Sequence, residues 1–179
     1  MARYVALLRG VNVGGNNKLP MKTLAGLFAE AGCEDVKTFI QSGNVVFTAE
    51  PKVAAGIGVV VSAEIARTVG LKIPVILRSA KELARVVASN PYLPHGVDEG
   101  ELAVSFLAGK PDAAGVKSLE PDRSPPDEFI VRGQEVYLRF PQGMGKSKLT
   151  SAWFDSRLKT VGTVRNWRTT VKLLKLAGG

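Results

Sequence analysis

The order of apolar periodicities over the first 77 residues constrains the fold more than any other feature of this chain. Within residues 3–9, Tyr4, Ala6 and Leu8 alternate with Val5 and Leu7, and both sets are largely apolar. That pattern predicts a strand covered on both faces and therefore central in its sheet. Residues 10–17 are a loop by composition. Pro20 suits a first helical turn, and Met21, Leu24, Leu27, Phe28 and Ala31 follow at helical spacing until Gly32 stops them. Residues 36–41 read as a second strand, Ser42-Gly43-Asn44 as a tight turn and residues 45–48 as a third strand. A helix is expected over residues 52–69, ended by Gly70 and weakened by Gly56 and Gly58, and a fourth strand over 73–77.

This is β-α-β-β-α-β, the ferredoxin-like order. A right-handed crossover makes the first two strands run the same way, so the loops that follow them leave one end of the sheet. Arg9 and Asn12 are therefore expected to face Gln41, Ser42 and Asn44. The rest of the chain reads similarly. Ser79 and Glu82 have the spacing of a capping box, for a helix through Ala88 that Asn90-Pro91 ends. A strand follows over 102–107, a short helix from Pro111-Asp112 to about 119, a proline-rich connector over 121–126, and a hairpin of 129–132 with 135–140 around Gly133-Gln134. This second half reads β-α-β-β-α, close to the first plan, with no residue-level self-similarity to mark a repeat. The expected class is α+β, with antiparallel or mixed sheets and helices packed on them. The expected division is residues 1–79 and 80–179, the second part carrying basic C-terminal helices.

Charge is concentrated at one place. Nine of the 24 Lys and Arg residues, and one of the 16 acids, lie within residues 139–175. The remainder carries fifteen of each, so the net charge of +8 belongs to this stretch. A localised positive field attracts anions. Ser147 is expected to cap a helix running to about Leu158, and Thr163 a last helix. In that last helix Val164, Trp167, Val171 and Leu174 form an apolar stripe, with Arg165, Arg168, Lys172 and Lys175 one residue further round.

Several chemistries find little footing. One cysteine, Cys33, allows no internal disulfide, and one cysteine with one histidine cannot build a structural zinc site. No cluster of carboxylates announces magnesium, and no cofactor is expected. A nucleophilic triad would have to use His95, which lies in the turn-rich run Pro91-Tyr92-Leu93-Pro94-His95-Gly96. The glycines at 10, 14 and 15 do not form G-x-G-x-x-G. Gly143-Met144-Gly145-Lys146-Ser147 approaches a P-loop, but Phe140 stands where that pattern needs glycine. The same residues can hold a phosphate at a helix start, or can simply form a glycine turn with a serine cap. The aromatic motif of an RNA-recognition sheet is absent, since the two central strands offer Tyr4 and Phe47 among aliphatics. With no signal-peptide pattern and no bilayer-length apolar run, a soluble cytoplasmic protein without membrane contact is expected.

Four blocks, R-G-V-N-V-G-G (9–15), Q-S-G-N-V-V-F (41–47), G-K-S-K-L-T (145–150) and R-N-W-R-T (165–169), resemble the signature segments of the domain-of-unknown-function 1697 family. They occur in that family's order along essentially the whole chain. The resemblance implies a bacterial protein of uncharacterised activity whose fold has two ferredoxin-like halves. It places recurrent polar positions on Arg9, Asn12, Gly14, Gly15, Gln41, Ser42, Gly43, Asn44, Ser147, Lys148, Arg165, Asn166 and Trp167, without roles.

The anion-binding candidates are Arg9, Asn12, Ser42, Asn44, Lys146, Ser147, Lys148, Arg165, Asn166 and Arg168. Two functions follow. One is binding of a nucleic acid or another phosphorylated polyanion by the basic C-terminal helices. The other is an enzyme or binder for a phosphorylated metabolite or nucleotide, at a site shared by the Arg9/Asn12 loop and the Lys146/Arg165 region. Whether a reaction is catalysed, and the oligomeric state, stay open at this level.

Overall fold

In the computed structural model, which describes residues 1–178, the chain forms two four-stranded antiparallel sheets with helices packed on them. It divides into two compact units, one of residues 1–85 with the C-terminal residues from Lys172 on, the other Val86–Val171.

The first sheet contains β1 (Ala2–Leu8), β2 (Glu34–Phe39), β3 (Asn44–Ala49) and β4 (Val75–Ser79), in the order β2-β3-β1-β4. β1 is central, as its doubly apolar pattern requires. It pairs antiparallel with β3, Tyr4 opposite Phe47, and with β4, Val5 opposite Arg78. One face of the sheet meets α1 (Met21–Glu30) and α2 (Pro51–Val69), burying Ala6, Leu8, Val45 and Phe47 against Leu24, Phe28, Ile57 and Ile65. Each such large side chain contributes about 1.5–3 kcal/mol by leaving water. The alternate residues Val5, Leu7 and Val46 are buried as well. The two glycines expected to weaken α2 leave it unbroken. Gly58 serves the packing, since a Cβ there would lie 3.1 Å from the Val75 carbonyl oxygen. Gly70, in the left-handed region, ends the helix. α3 (Ala80–Ala88) follows β4 behind the expected capping box. Ser79 N–H donates to Glu82 Oε2 (2.7 Å) and Glu82 N–H to Ser79 Oγ (3.2 Å).

The second sheet repeats the plan with β5 (Leu102–Leu107), β6 (Glu128–Arg132), β7 (Glu135–Arg139) and β8 (Gly162–Asn166), in the order β6-β7-β5-β8. α4 (Ala113–Lys117) and α5 (Ser151–Leu158) lie in the same unit, and α6 (Trp167–Leu176) follows β8, its residues from Lys172 on belonging to the first unit. Ala103, Val136, Leu138 and Phe140 pack against Trp153, Phe154 and Leu158, with Phe129 edge-on to both rings.

Three expectations for the basic stretch are corrected here. Ser147 does not start a helix: α5 begins at Ser151, and the Thr150 hydroxyl accepts from Trp153 N–H (3.2 Å). Leu149, buried between Ser147 and Thr150, belongs to the core, which pins the approach to the helix and leaves Thr150 to cap it. Residues 162–166 are a strand rather than the start of the last helix. The cap of α6 is Asn166, whose Oδ1 accepts from Thr169 N–H (2.8 Å), not Thr163. Arg165 is accordingly a strand residue, 7% exposed, and no member of a solvated stripe. The buried residues of α6 are Trp167, Thr169, Thr170 and Leu173, with Ala177 just past its end, whereas Val164, Val171 and Leu174 are half-buried.

Candidate functional site

The first group of expected site residues gathers at one end of the first sheet. β1 and β2 both run antiparallel to β3, so the loops after them emerge together. The 10–17 segment is a miniature hairpin rather than a slack loop. Val13 bridges Asn16, and Gly14 and Gly15 turn the chain with φ of 56° and 78°. Both angles being positive, the turn is of the type that two glycines favour. Asn12 holds its base: Oδ1 accepts from Leu19 N–H (2.9 Å), while Nδ2 donates to the carbonyls of Leu19 (2.9 Å) and Gln41 (2.8 Å). Asn17 Nδ2 closes the other side onto the Gly10 carbonyl (3.0 Å). The turn after β2 is fixed in the same way. Asn44, fully buried, donates to the Phe39 carbonyl and to Ser42 Oγ, both at 3.0 Å. Leu8 N–H donates to the Gly43 carbonyl (2.8 Å) and Arg9 N–H to that of Pro74 (3.1 Å). Arg9 and Ser42 are half-buried. Of the residues expected to meet, Asn12 reaches across to the Gln41 carbonyl, while the Asn44 amide bonds within its own turn and the Arg9 N–H meets Pro74. Both amides hold backbone.

The second group lies at one end of the second sheet. β7 and β8 flank β5 and both run antiparallel to it, with Leu138 and Asn166 each opposite Ala103. They therefore leave the sheet at the same end, about 10 Å apart. From β7 runs the 140–150 loop with Lys146, Ser147 and Lys148, and from β8 starts α6 with Asn166 and Arg168. The loop is tied down by Ser124, whose Oγ accepts from Lys148 N–H (3.0 Å), and by Arg123, whose Nε donates to the Lys148 carbonyl (3.1 Å). Ser147 Oγ accepts from Leu149 N–H (3.1 Å). Arg123, which the sequence did not single out, also lies 4.7 Å over the Trp153 ring.

The nine basic residues of the stretch divide sharply. Arg139 pairs with Glu101 and Glu128, both at 2.9 Å, and Arg157 with Glu120 at 3.1 Å. Arg165 donates to Thr163 Oγ1 and the Val164 carbonyl, both at 2.8 Å, and burial pulls its pKa down to about 10. The other six, Lys146, Lys148, Lys159, Arg168, Lys172 and Lys175, are exposed. Arg168, Lys172 and Lys175 stand at i, i+4 and i+7 on α6, across the helix from the buried Thr170 and Leu173. His95 is an exposed residue of a single 3₁₀ turn, Leu93–His95. Among the described residues no three His, Cys, Asp or Glu side chains are grouped to hold a metal ion, and no helix is long and apolar enough to cross a membrane.

Comparison with known proteins adds the family and the fold. The profile of the family described as "Protein of unknown function (DUF1697)" matches residues 1–137. No functionally curated protein matches the chain. Among solved structures, the conserved bacterial protein SP0830 from Streptococcus pneumoniae aligns over 100% of this chain and 99% of its own, with a TM-score of 0.74 and 24% identity.

Proposed function

Because the chain belongs to the DUF1697 family of proteins of unknown function, its relatives supply a fold and no activity, and from its surface we propose that it binds nucleic acid through the phosphate backbone. The observation that carries this reading is the basic face of α6. Arg168, Lys172 and Lys175 project from the side opposite the buried one, over a rise of about 10 Å. Along that length one strand of a duplex presents about three phosphates. Lys146 and Lys148, exposed on the loop that leaves the second sheet at the end where α6 starts, are further positive charges in the unit that carries Arg168. Paired or buried bases such as Arg139, Arg157 and Arg165 add little, because their charge is already met or screened from solvent.

Fluorescence anisotropy with a labelled duplex, titrated across salt, tests the reading. The logarithm of affinity should fall linearly with the logarithm of salt, by about 0.9 per phosphate neutralised. The triple variant Arg168→Ala, Lys172→Ala, Lys175→Ala should flatten that slope by about three units. Absence of binding at about 50 mM salt, or an unchanged slope in the variant, would overturn it.

A further inference from the structure

We infer that the bound nucleic acid is recognised by its sugar-phosphate chain alone, without base stacking; this rests on the reading above and narrows it. Of the seven Phe, three Tyr and two Trp, nine are buried and Tyr4, Phe39 and Phe129 are half-buried. Most are committed to one another. Tyr4 stacks on Phe47 with centroids 5.7 Å apart, and Phe28 tilts against the same ring at 5.1 Å. Phe129, Trp153 and Phe154 pack edge to face within 4.8–5.9 Å. These pairs put Tyr4 and Phe47 on the helix-covered face of the first sheet and leave its other face one half-buried ring, Phe39 opposite Asn44, rather than the set of stacked rings an RNA-recognition motif uses.

The ring next in sequence to the basic stripe is the telling one. Trp167 is 2% exposed: although it precedes Arg168 in the chain, its ring is in the core. Single-strand binders gain about 1–3 kcal/mol for each base stacked on an aromatic side chain, and a ring in the core cannot make that contact. Two of the three stripe residues are lysines, compact point charges that meet a phosphate from any direction and read no base edge by a planar fork. A surface of this make-up holds the backbone and ignores the bases.

The experiment compares two labelled strands of equal length at low salt, an oligo(dT) and a wholly abasic sugar-phosphate strand. The expected result is dissociation constants within about threefold of each other, and equal loss of both in the Arg168/Lys172/Lys175 triple-alanine variant. An abasic strand bound tenfold or more weakly, about 1.4 kcal/mol, shows that bases are read and overturns the inference while leaving backbone binding intact. If neither strand nor a duplex binds, the proposed function falls and the inference with it.

Discussion

The two halves share one strand order and spend their crossovers differently. In the first half, β1 is followed by twelve residues before α1, whereas only Glu50 separates β3 from the 19-residue α2. In the second, five residues separate β5 from α4, while eleven precede the eight-residue α5. The 140–150 loop takes the place that the first turns of α2 hold in the first half. Strands one and three of such a sheet run oppositely, so the long loops emerge at opposite ends of their respective sheets. One scaffold has freed backbone at a different corner in each half. The chemistry freed differs too. The first corner is built of asparagine and glycine closed on themselves by hydrogen bonds, with Arg9 and Lys18 as its bases. The second is lysine-rich and tied down by Ser124 and Arg123.

The sharpest way to break this comparison is at the turns joining strands two and three. Gly43 has φ +79°, and a methyl there would lie 2.8 Å from Leu8 Cβ. Gly133, in the matching turn of the second half, has φ +60° with open space around it. Gly43→Ala should cost about 3 kcal/mol, from left-handed strain plus forced repacking. Gly133→Ala should cost about 1 kcal/mol, from strain alone. Urea unfolding of the two variants measures the difference. Equal costs would mean that the first corner is not the rigid one.

A second pair tests whether the halves match at the residue level. Arg78 sits opposite Val5 and Arg165 opposite Val104, each on the fourth strand of its sheet. Both are buried, and each donates to the carbonyl of the residue before it, Leu77 (2.7 Å) and Val164 (2.8 Å). Arg165→Ala and Arg78→Ala should each cost about 2 kcal/mol through lost stem packing and stranded hydrogen-bond partners. The methionine variants should recover most of it, since an apolar side chain of similar length fills the space without burying a charge. A cost confined to one position, read by the same denaturation, would make the correspondence purely geometric.

These arginines also mark where the sequence could and could not be read. The first half was legible because its apolar alternations, Gly32 and Gly70 agree at every level. The last strand was not, because Val164, Trp167, Val171 and Leu174 keep helical spacing across a strand-helix boundary. Two signals were available. The plan of the first half asks for a strand before the final helix. Leu77-Arg78-Ser79 and Val164-Arg165-Asn166 share an apolar residue, an arginine and a helix cap in that order. At the candidate sites, sequence supplied the loop meeting through strand direction. It could not foresee that Asn12 holds the Gln41 carbonyl, nor that Arg139 and Arg157 leave the free field, because those outcomes depend on partners distant in the chain; Arg165 leaves it by burial on the strand that was read as helix. Arg139 meets Glu101, 38 residues away, and Arg157 meets Glu120, 37 away.

The smallest effect separates the halves by pH. Both final helices are capped from the fourth strand, α3 by Ser79 and α6 by Asn166, and replacing either cap with alanine should cost about 1 kcal/mol at neutral pH. Only the first cap is coupled to a titrating group. Burial tends to raise the Glu82 carboxyl, but the Ser79 N–H and hydroxyl, with Arg78 and Arg85 nearby, outweigh it and hold the group below its ordinary value. A carboxylate depressed in the folded state contributes stability above its unfolded pKa and loses it as pH falls through the folded one. The deficit of Ser79→Ala should therefore shrink between neutral pH and about pH 3, as Glu82 protonates and its bonds to Ser79 weaken in the parent too. Asn166, a neutral amide, should show the same deficit at both. Paired urea curves at the two pH values decide it: a Ser79→Ala deficit that does not change would mean the capping box draws nothing from the charge on Glu82.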